Sequence, residues 1–191
     1  MKTIGLTGGI GSGKSYIGHL FELLGADLYN ADKEAKEVMT KDPELTAQIK
    51  SVFGEHAYHD NGELNREYLA QIIFSDEEKR LKLNSLVHPA LLKHFFRFAE
   101  ESTKELVIIE AAILIESGFY KHVDKIIVVT ADKDLRIRRI MERDKATEEQ
   151  IIGRITAQMS DSEREKYADF ILLNNEKELT LPQIISILEK I

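Results

Sequence analysis

The chain has 191 residues, of which 43% are hydrophobic and 31% charged, a balance that excludes a disordered chain or a fibre. It has no cysteine, which excludes a disulfide framework, a thiolate zinc site and a cysteine nucleophile. A net charge of -7 speaks against a general nucleic-acid binder and for a small-molecule partner. The length suits one domain, or one domain carrying an insertion. No run of 18 apolar residues occurs, and the start MKTIGLTGG lacks the apolar stretch of a secretory signal. A cytoplasmic protein without membrane attachment is therefore expected. The sequence sets no oligomeric state.

In chain order, the first strand is predicted over Thr3 to Thr7. A helix over Tyr16 to Leu24 follows, with Ile17, Leu20, Phe21 and Leu24 on one face and Gly25 as its stop. Ala26 to Tyr29 is a weaker strand. From about 42 to 103 no strand is evident. Helices are predicted there over Pro43 to Phe53, Arg66 to Phe74, Asp76 to Val87 and Pro89 to Ala99. Ser75 with Glu78 reads as a capping box, and His88-Pro89 as a turn or helix start. Strands resume at Leu106 to Ile109, Ile126 to Val129 and Phe170 to Leu173. Like the first, these are continuous apolar runs, expected to be buried on both faces. Between and after them, helices are expected over Leu135 to Arg143, from a Thr147/Gln150 capping box towards Met159, and from Thr180 with Gln183 and Pro182. Strands alternating with helices imply an α/β fold with a parallel sheet.

Gly8, Gly9, Ile10, Gly11, Ser12, Gly13, Lys14 and Ser15 fit the pattern G-x-x-x-x-G-K-[ST]. Glycines let backbone N–H groups turn towards a phosphate, and the positive end of the following helix adds to their field. Lys14 can reach the β- and γ-phosphates of a nucleoside triphosphate, and the Ser15 hydroxyl can ligate Mg²⁺. The loop follows a strand and opens a helix, as this chemistry requires. The base-reading and switch motifs of GTPases are absent from the sequence, and a motor or helicase would be longer, which leaves a small phosphotransferase.

Three further features fit that reading. Asp32 follows the second strand at the carboxyl edge of the sheet, where it could accept a proton from an acceptor hydroxyl. It equally suits the N-cap of a helix over Lys33 to Met39. Glu110 ends the third strand, the position of an acidic residue that holds Mg²⁺, often through water. Glu116 lies six residues on and reads as readily as a surface carboxylate. Residues 133–145 carry six basic and three acidic side chains in an acidic protein. Arg136, Arg139 and Arg143 share a helix face, so this segment reads as a lid that meets phosphate.

With these residues in place, the chain resembles the dephospho-CoA kinase family. The resemblance rests on IGLTGGIGSGKS from Ile4 to Ser15, Ala31-Asp32, Phe53-Gly54, and the G-x-L-x-R segment Gly62 to Arg66. It continues through His88-Pro89, the stretch Glu110 to Glu116, Arg139 with Arg143, Arg154 with Gln158, and Ala168, Asp169 and Asn174. Tyr16, Asn30, Lys36 and Ala112 depart from that family's usual Thr, Asp, Arg and Pro.

The resemblance implies a three-layer P-loop kinase fold with a five-stranded parallel sheet. The core would comprise about 1–40, 104–132 and 155–191, with a helical CoA-binding insertion over about 41–103 and a lid over about 133–154. It implies transfer of the ATP γ-phosphoryl group to the 3′-hydroxyl of dephospho-CoA, the last step of coenzyme A synthesis, with Mg²⁺. Lys14, Asp32 and Arg139 would be catalytic. The loop residues, Tyr16, Arg143 and Asn174 would hold ATP. Asp32, Arg66, His88 and Glu110 would serve the acceptor side. Another small P-loop kinase, or a regulatory ATP-binding module without chemistry, are the competing readings. The 42–103 segment argues against the first, and Asp32 with the lid arginines against the second.

Overall fold

A computed structural model describes residues 1–191. Contacts divide the chain into two compact units, Met1–Asn30 with Ser102–Ile191, and Ala31–Glu101.

The first unit is built on five strands. These are β1 (Lys2–Thr7), β2 (Asp27–Asn30), β3 (Leu106–Glu110), β4 (Lys125–Thr130) and β5 (Phe170–Leu173), with α1 (Lys14–Leu23) between the first two. All neighbours pair in parallel, in the order β2-β3-β1-β4-β5. The sheet and its flanking helices give the P-loop kinase fold that the sequence implied. Ile4, Leu6, Ile108, Ile127 and Val129 form one face with α1 and the last helix, through Ile17, Phe21, Ile184 and Ile187. Residues that alternate with these, such as Val107, Ile109 and Val128, are also buried, on the opposite face. β5 departs from that pattern: Ile171 is 48% exposed and Leu173 37%. Leu172 between them is fully buried, so β5 is covered on one face and open on the other.

The strand order places the loop. The chain leaves central β1 towards β2 on one side, then later returns to β4 on the other. The carboxyl end of β1 is thus the point where the winding reverses, and ligands bind in the crevice there.

The second unit is helical: α2 (Ala31–Lys41), α3 (Pro43–Phe53), α4 (Arg66–Ser75) and α5 (Glu77–Glu101). Asp42 caps α3 by accepting from Glu44 and Leu45 N–H, and Asn65 caps α4 by accepting from Tyr68 N–H. The turn or helix start expected at His88-Pro89 is absent. α5 runs through both residues for 25 residues. Leu83, Val87, Leu91, Phe95 and Ala99 recur every four positions and are all buried. A continuous apolar stripe outweighs the one backbone bond that Pro89 cannot make. The expected Ser75/Glu78 box is also absent. Asp76 accepts from Lys79 N–H at 3.0 Å, while Ser75 Oγ donates back to Gln71 O.

Phe95, in that stripe, is fully buried. Phe95→Ala should cost about 3–5 kcal/mol, because deleting a core ring loses its transfer free energy and leaves a cavity. Urea unfolding of the variant beside the parent chain checks this.

After β4 come α6 (Lys133–Asp144), α7 (Glu148–Thr156) and α8 (Asp161–Glu165), then β5 and α9 (Thr180–Leu188). The Thr147/Gln150 capping box opens α7 as expected, and a second box, Ser160/Glu163, opens α8. Gln183 does not cap α9. Its amide instead bonds both N–H and C=O of Leu173 on the open edge of β5.

Candidate active site

The loop Gly8 to Ser15 joins β1 to α1 at the winding reversal. Lys14 Nζ donates to Gly8 O at 2.9 Å, folding the side chain back across the loop. Gly13 stands just before α1 with φ of 91°, a left-handed conformation open to glycine at little cost. A side chain there would also collide with the amide of Asn174, which donates to Ser12 O at 2.8 Å. Gly9 leaves room for a different neighbour, since a Cβ at that position would run into the Arg136 guanidinium. These two glycines therefore make space for the protein's own side chains as well as for backbone approach to a ligand.

Ser15 and Glu110 meet. Ser15 Oγ donates to Glu110 Oε1 at 2.6 Å. Glu110 is only 6% exposed, and its second oxygen accepts from Asn30 Nδ2 at 2.9 Å. Sheet register explains the contact, because Glu110 pairs with Leu6 on one side and Asn30 on the other. Hydroxyl and carboxylate oxygens are the donors Mg²⁺ prefers, with further positions left to phosphate and water, so these residues fit that ion.

The arginines of α6 have separate environments. Arg136 is 4% exposed; its Nε donates to Ile10 O at 2.8 Å and its Nη1 to Asp161 Oδ2. Arg139 Nη2 donates to Asn174 O at 3.0 Å, and its Nη1 lies 3.5 Å from Gly11 O and Ser12 O. It also pairs with Glu176, which takes Arg138 as well. Desolvation raises the Glu176 carboxyl, and the bonds from Arg139 and Arg138 outweigh it and hold that group below its usual range. Arg143 bonds Asp144 at 2.6 Å, and Arg154 joins the same carboxylate at 2.9 Å. The Arg143 bond, opposed by desolvation and then aided by Arg154, keeps Asp144 well ionised. An open cleft of about 540 Å³ lies beside the loop, lined by Gly13, Tyr16, Arg139, Asn174, Leu179 and Thr180.

Comparison with known proteins decides the family. A family model described as dephospho-CoA kinase matches residues 2–179. A dephospho-CoA kinase from Geobacillus kaustophilus is 40% identical over 192 residues, covering 98% of this chain and 96% of the relative. The chain belongs to the dephospho-CoA kinase family. A solved dephospho-CoA kinase from Campylobacter jejuni superposes with a TM-score of 0.70 at 26% identity, covering 98% of this chain and 96% of that one. A shikimate kinase from Bacteroides thetaiotaomicron shares the fold, with a TM-score of 0.57 at 16% identity over 98% of each chain.

The residues that the dephospho-CoA kinase resemblance assigns to the acceptor divide between the units. Glu110 lies in the sheet unit, as above. Asp32, Arg66 and His88 lie in the helical unit. Asp32 is exposed in the first turn of α2, which begins one residue earlier at Ala31. It is therefore not the N-cap that its residue type also suggested. Arg66 is exposed at the first position of α4. His88 is half-buried within α5, and burial pulls its pKa below the ordinary imidazole value, which favours the neutral ring. Glu116 is exposed. Within the helical unit, α2 and α5 also wall a cavity of about 890 Å³ that includes Lys33, Lys41, Lys93, His94 and Arg97.

Several residues escape a reading of the sequence. Asn30 is the partner of Glu110, a pairing set by strand register. Asp161 forms ion pairs with both Arg164 and Arg136. The one local signal there was the S-x-x-E box at Ser160, which marks a helix start near them.

Proposed function

We propose that this chain transfers the γ-phosphoryl group of ATP to the 3′-hydroxyl of dephospho-CoA, giving coenzyme A and ADP. Membership of the family over nearly the whole chain carries the reading. The loop geometry supports it, with Lys14 and Ser15 at the carboxyl end of central β1 and Glu110 bonded to Ser15.

Lys14 would leave Gly8 O for the phosphates and neutralise charge that grows on the transferred group. Ser15 and Glu110 would hold Mg²⁺, which when bound supplies charge neutralisation across the β- and γ-phosphate oxygens. Arg139 stands beside the loop carbonyls and would add positive charge there, with Arg143 further along the same helix. Tyr16 and Asn174 would line the nucleotide's cleft. Asp32 would orient the acceptor hydroxyl or take its proton, and Arg66 and His88 would hold the rest of the acceptor. We further propose that the lid spans about 133–154 and that the acceptor-binding insertion spans about 41–103. No helix is long and apolar enough to cross a membrane, and action on a soluble substrate in the cytoplasm fits that.

The test is an acceptor screen with Mg-ATP, comparing dephospho-CoA with adenosine, AMP, gluconate and shikimate. The expected result is ADP release that depends on dephospho-CoA, with coenzyme A as the product by mass. Faster transfer to any of the other acceptors would overturn the assignment.

The lid carries its own expectation. Residues 133–154 should gain hydrogen-exchange protection when a non-hydrolysable ATP analogue is added, because the arginines gain phosphate partners. Equal protection with and without saturating analogue would count against closure.

A further inference from the structure

Ile10 is an apolar residue in the middle of a phosphate loop, and it is held at three points. Its N–H donates to Gln158 Oε1 at 2.8 Å. Its C=O accepts from Arg136 Nε at 2.8 Å. Its side chain packs against Ile137, Ile140 and Ile151, the small apolar core between α6 and α7.

The two backbone bonds fix two successive peptide planes. In a trans peptide the C=O and N–H point in opposite directions, and no peptide bond of this chain is cis. The Ile10 N–H turned towards Gln158 sends the Gly9 C=O the other way, where it accepts from Ser12 N–H at 3.1 Å. The Ile10 C=O turned towards Arg136 likewise sends the Gly11 N–H away from Arg136. Backbone N–H direction is what a loop of this kind offers a phosphate.

Arg136 is in turn held rigid. Asp161 bridges two buried guanidinium groups, accepting from Arg136 Nη1 through Oδ2 and from Arg164 Nη1 through Oδ1 at 2.9 Å. Arg164 is fully buried and its Nη2 donates to Met159 O, next to Gln158. A planar guanidinium with several fixed partners has little freedom to release the carbonyl it holds.

We propose that Gln158, together with Arg136 braced by Asp161, is a positioning device that presets the phosphate loop through Ile10. It rests on the nucleotide reading above and names residues of the same site. Gln158 and Arg136 act through the backbone of Ile10 and touch no phosphate themselves. Gly9 is part of the device, since any side chain there would displace Arg136. The lid helices are thereby anchored to the loop at their base.

Calorimetric ADP affinity of the full chain tests the inference, beside the separate KM values for ATP and dephospho-CoA. Gln158→Ala should weaken ADP binding and raise KM for ATP by about tenfold, the scale expected when an ordered, partly buried hydrogen bond is lost. KM for dephospho-CoA should change less than about twofold, because this network lies wholly on the nucleotide side. Gln158→Glu keeps an acceptor oxygen for Ile10 N–H and should stay within about threefold of the parent chain. Asp161→Asn should follow Gln158→Ala if it folds, and the Gln158 pair decides the matter if it does not. Unchanged ADP affinity in Gln158→Ala, or an equal rise in both KM values, would overturn the proposal. A parent chain that binds ADP but leaves dephospho-CoA unphosphorylated would sink the acceptor assignment and leave the ADP comparison intact.

Discussion

Lys14→Ala is expected to lower turnover with Mg-ATP and dephospho-CoA by about 10²-fold or more, since one preorganised charge in such a site contributes about that much. The fold should survive the change. Lys14 Nζ donates to Gly8 O in the sheet unit, a contact that helps shape the loop but is not buried core. The loop retains its other bonds, those of Ile10 with Gln158 and Arg136 and that of Asn174 with Ser12 O. A rate effect without a matching loss of thermal stability would therefore place Lys14 in the chemistry. Arginine makes the sharper comparison. It keeps the charge but exchanges a compact ammonium for a wide planar fork. Lys14→Arg should recover little, because a planar fork presents its charge and donors differently from the compact ammonium that meets Gly8 O. Near-parent turnover in a folded Lys14→Ala chain would remove the residue from the reaction.

The phosphate loop was legible in the sequence because its constraints are local. Glycines, a lysine and a hydroxyl must recur at fixed spacing between a strand and a helix, and Gly8 to Ser15 meet that requirement within eight residues. The four clear strands were legible for a related reason, since short continuous apolar runs are what a parallel sheet requires. What eluded the sequence depends on contacts between distant residues. Gln158 reaches Ile10 across 148 positions, and Asn30 reaches Glu110 across 80. Neither spacing leaves a periodic trace. Arg136 shows the same limit from the other side. Its place at i, i+3 and i+7 with Arg139 and Arg143 suggested a shared face that meets phosphate, yet it is buried against Asp161 and Ile10. Helical spacing tells which residues point together, but not what stands opposite them. Pro89 misled for a further reason. A proline before which the chain prefers extended conformations reads as a break. The stripe from Leu83 to Ala99 spans it and buries enough apolar surface to hold one helix.

Asp32→Asn is the variant that most directly probes how the acceptor hydroxyl is activated. Asparagine keeps the size of the side chain and much of its hydrogen bonding, while removing charge and basicity. If Asp32 accepts the proton of the hydroxyl, turnover should fall by about 10²- to 10⁴-fold, the range for loss of a positioned general base. Affinity for ATP should hardly change, because Lys14, Ser15 and the loop amides would still hold the phosphates. The alternative is a purely helical role. α2 starts at Ala31, so Asp32 sits in its first turn, where a carboxylate favours the positive end of the helix. Losing that charge costs about 0.3–1 kcal/mol of stability and leaves chemistry alone. The two roles thus differ in which observable moves. Single-turnover rates with Mg-ATP and dephospho-CoA, taken beside thermal unfolding of the same variant, separate them. Phosphoryl transfer through a loose transition state needs little help in removing the proton. A loss near the lower end of the range would then mark Asp32 as orienting the hydroxyl more than deprotonating it. A single-turnover rate within about threefold of the parent chain, far smaller than the loss of a base should cause, would leave Asp32 a helix-terminal carboxylate and nothing more.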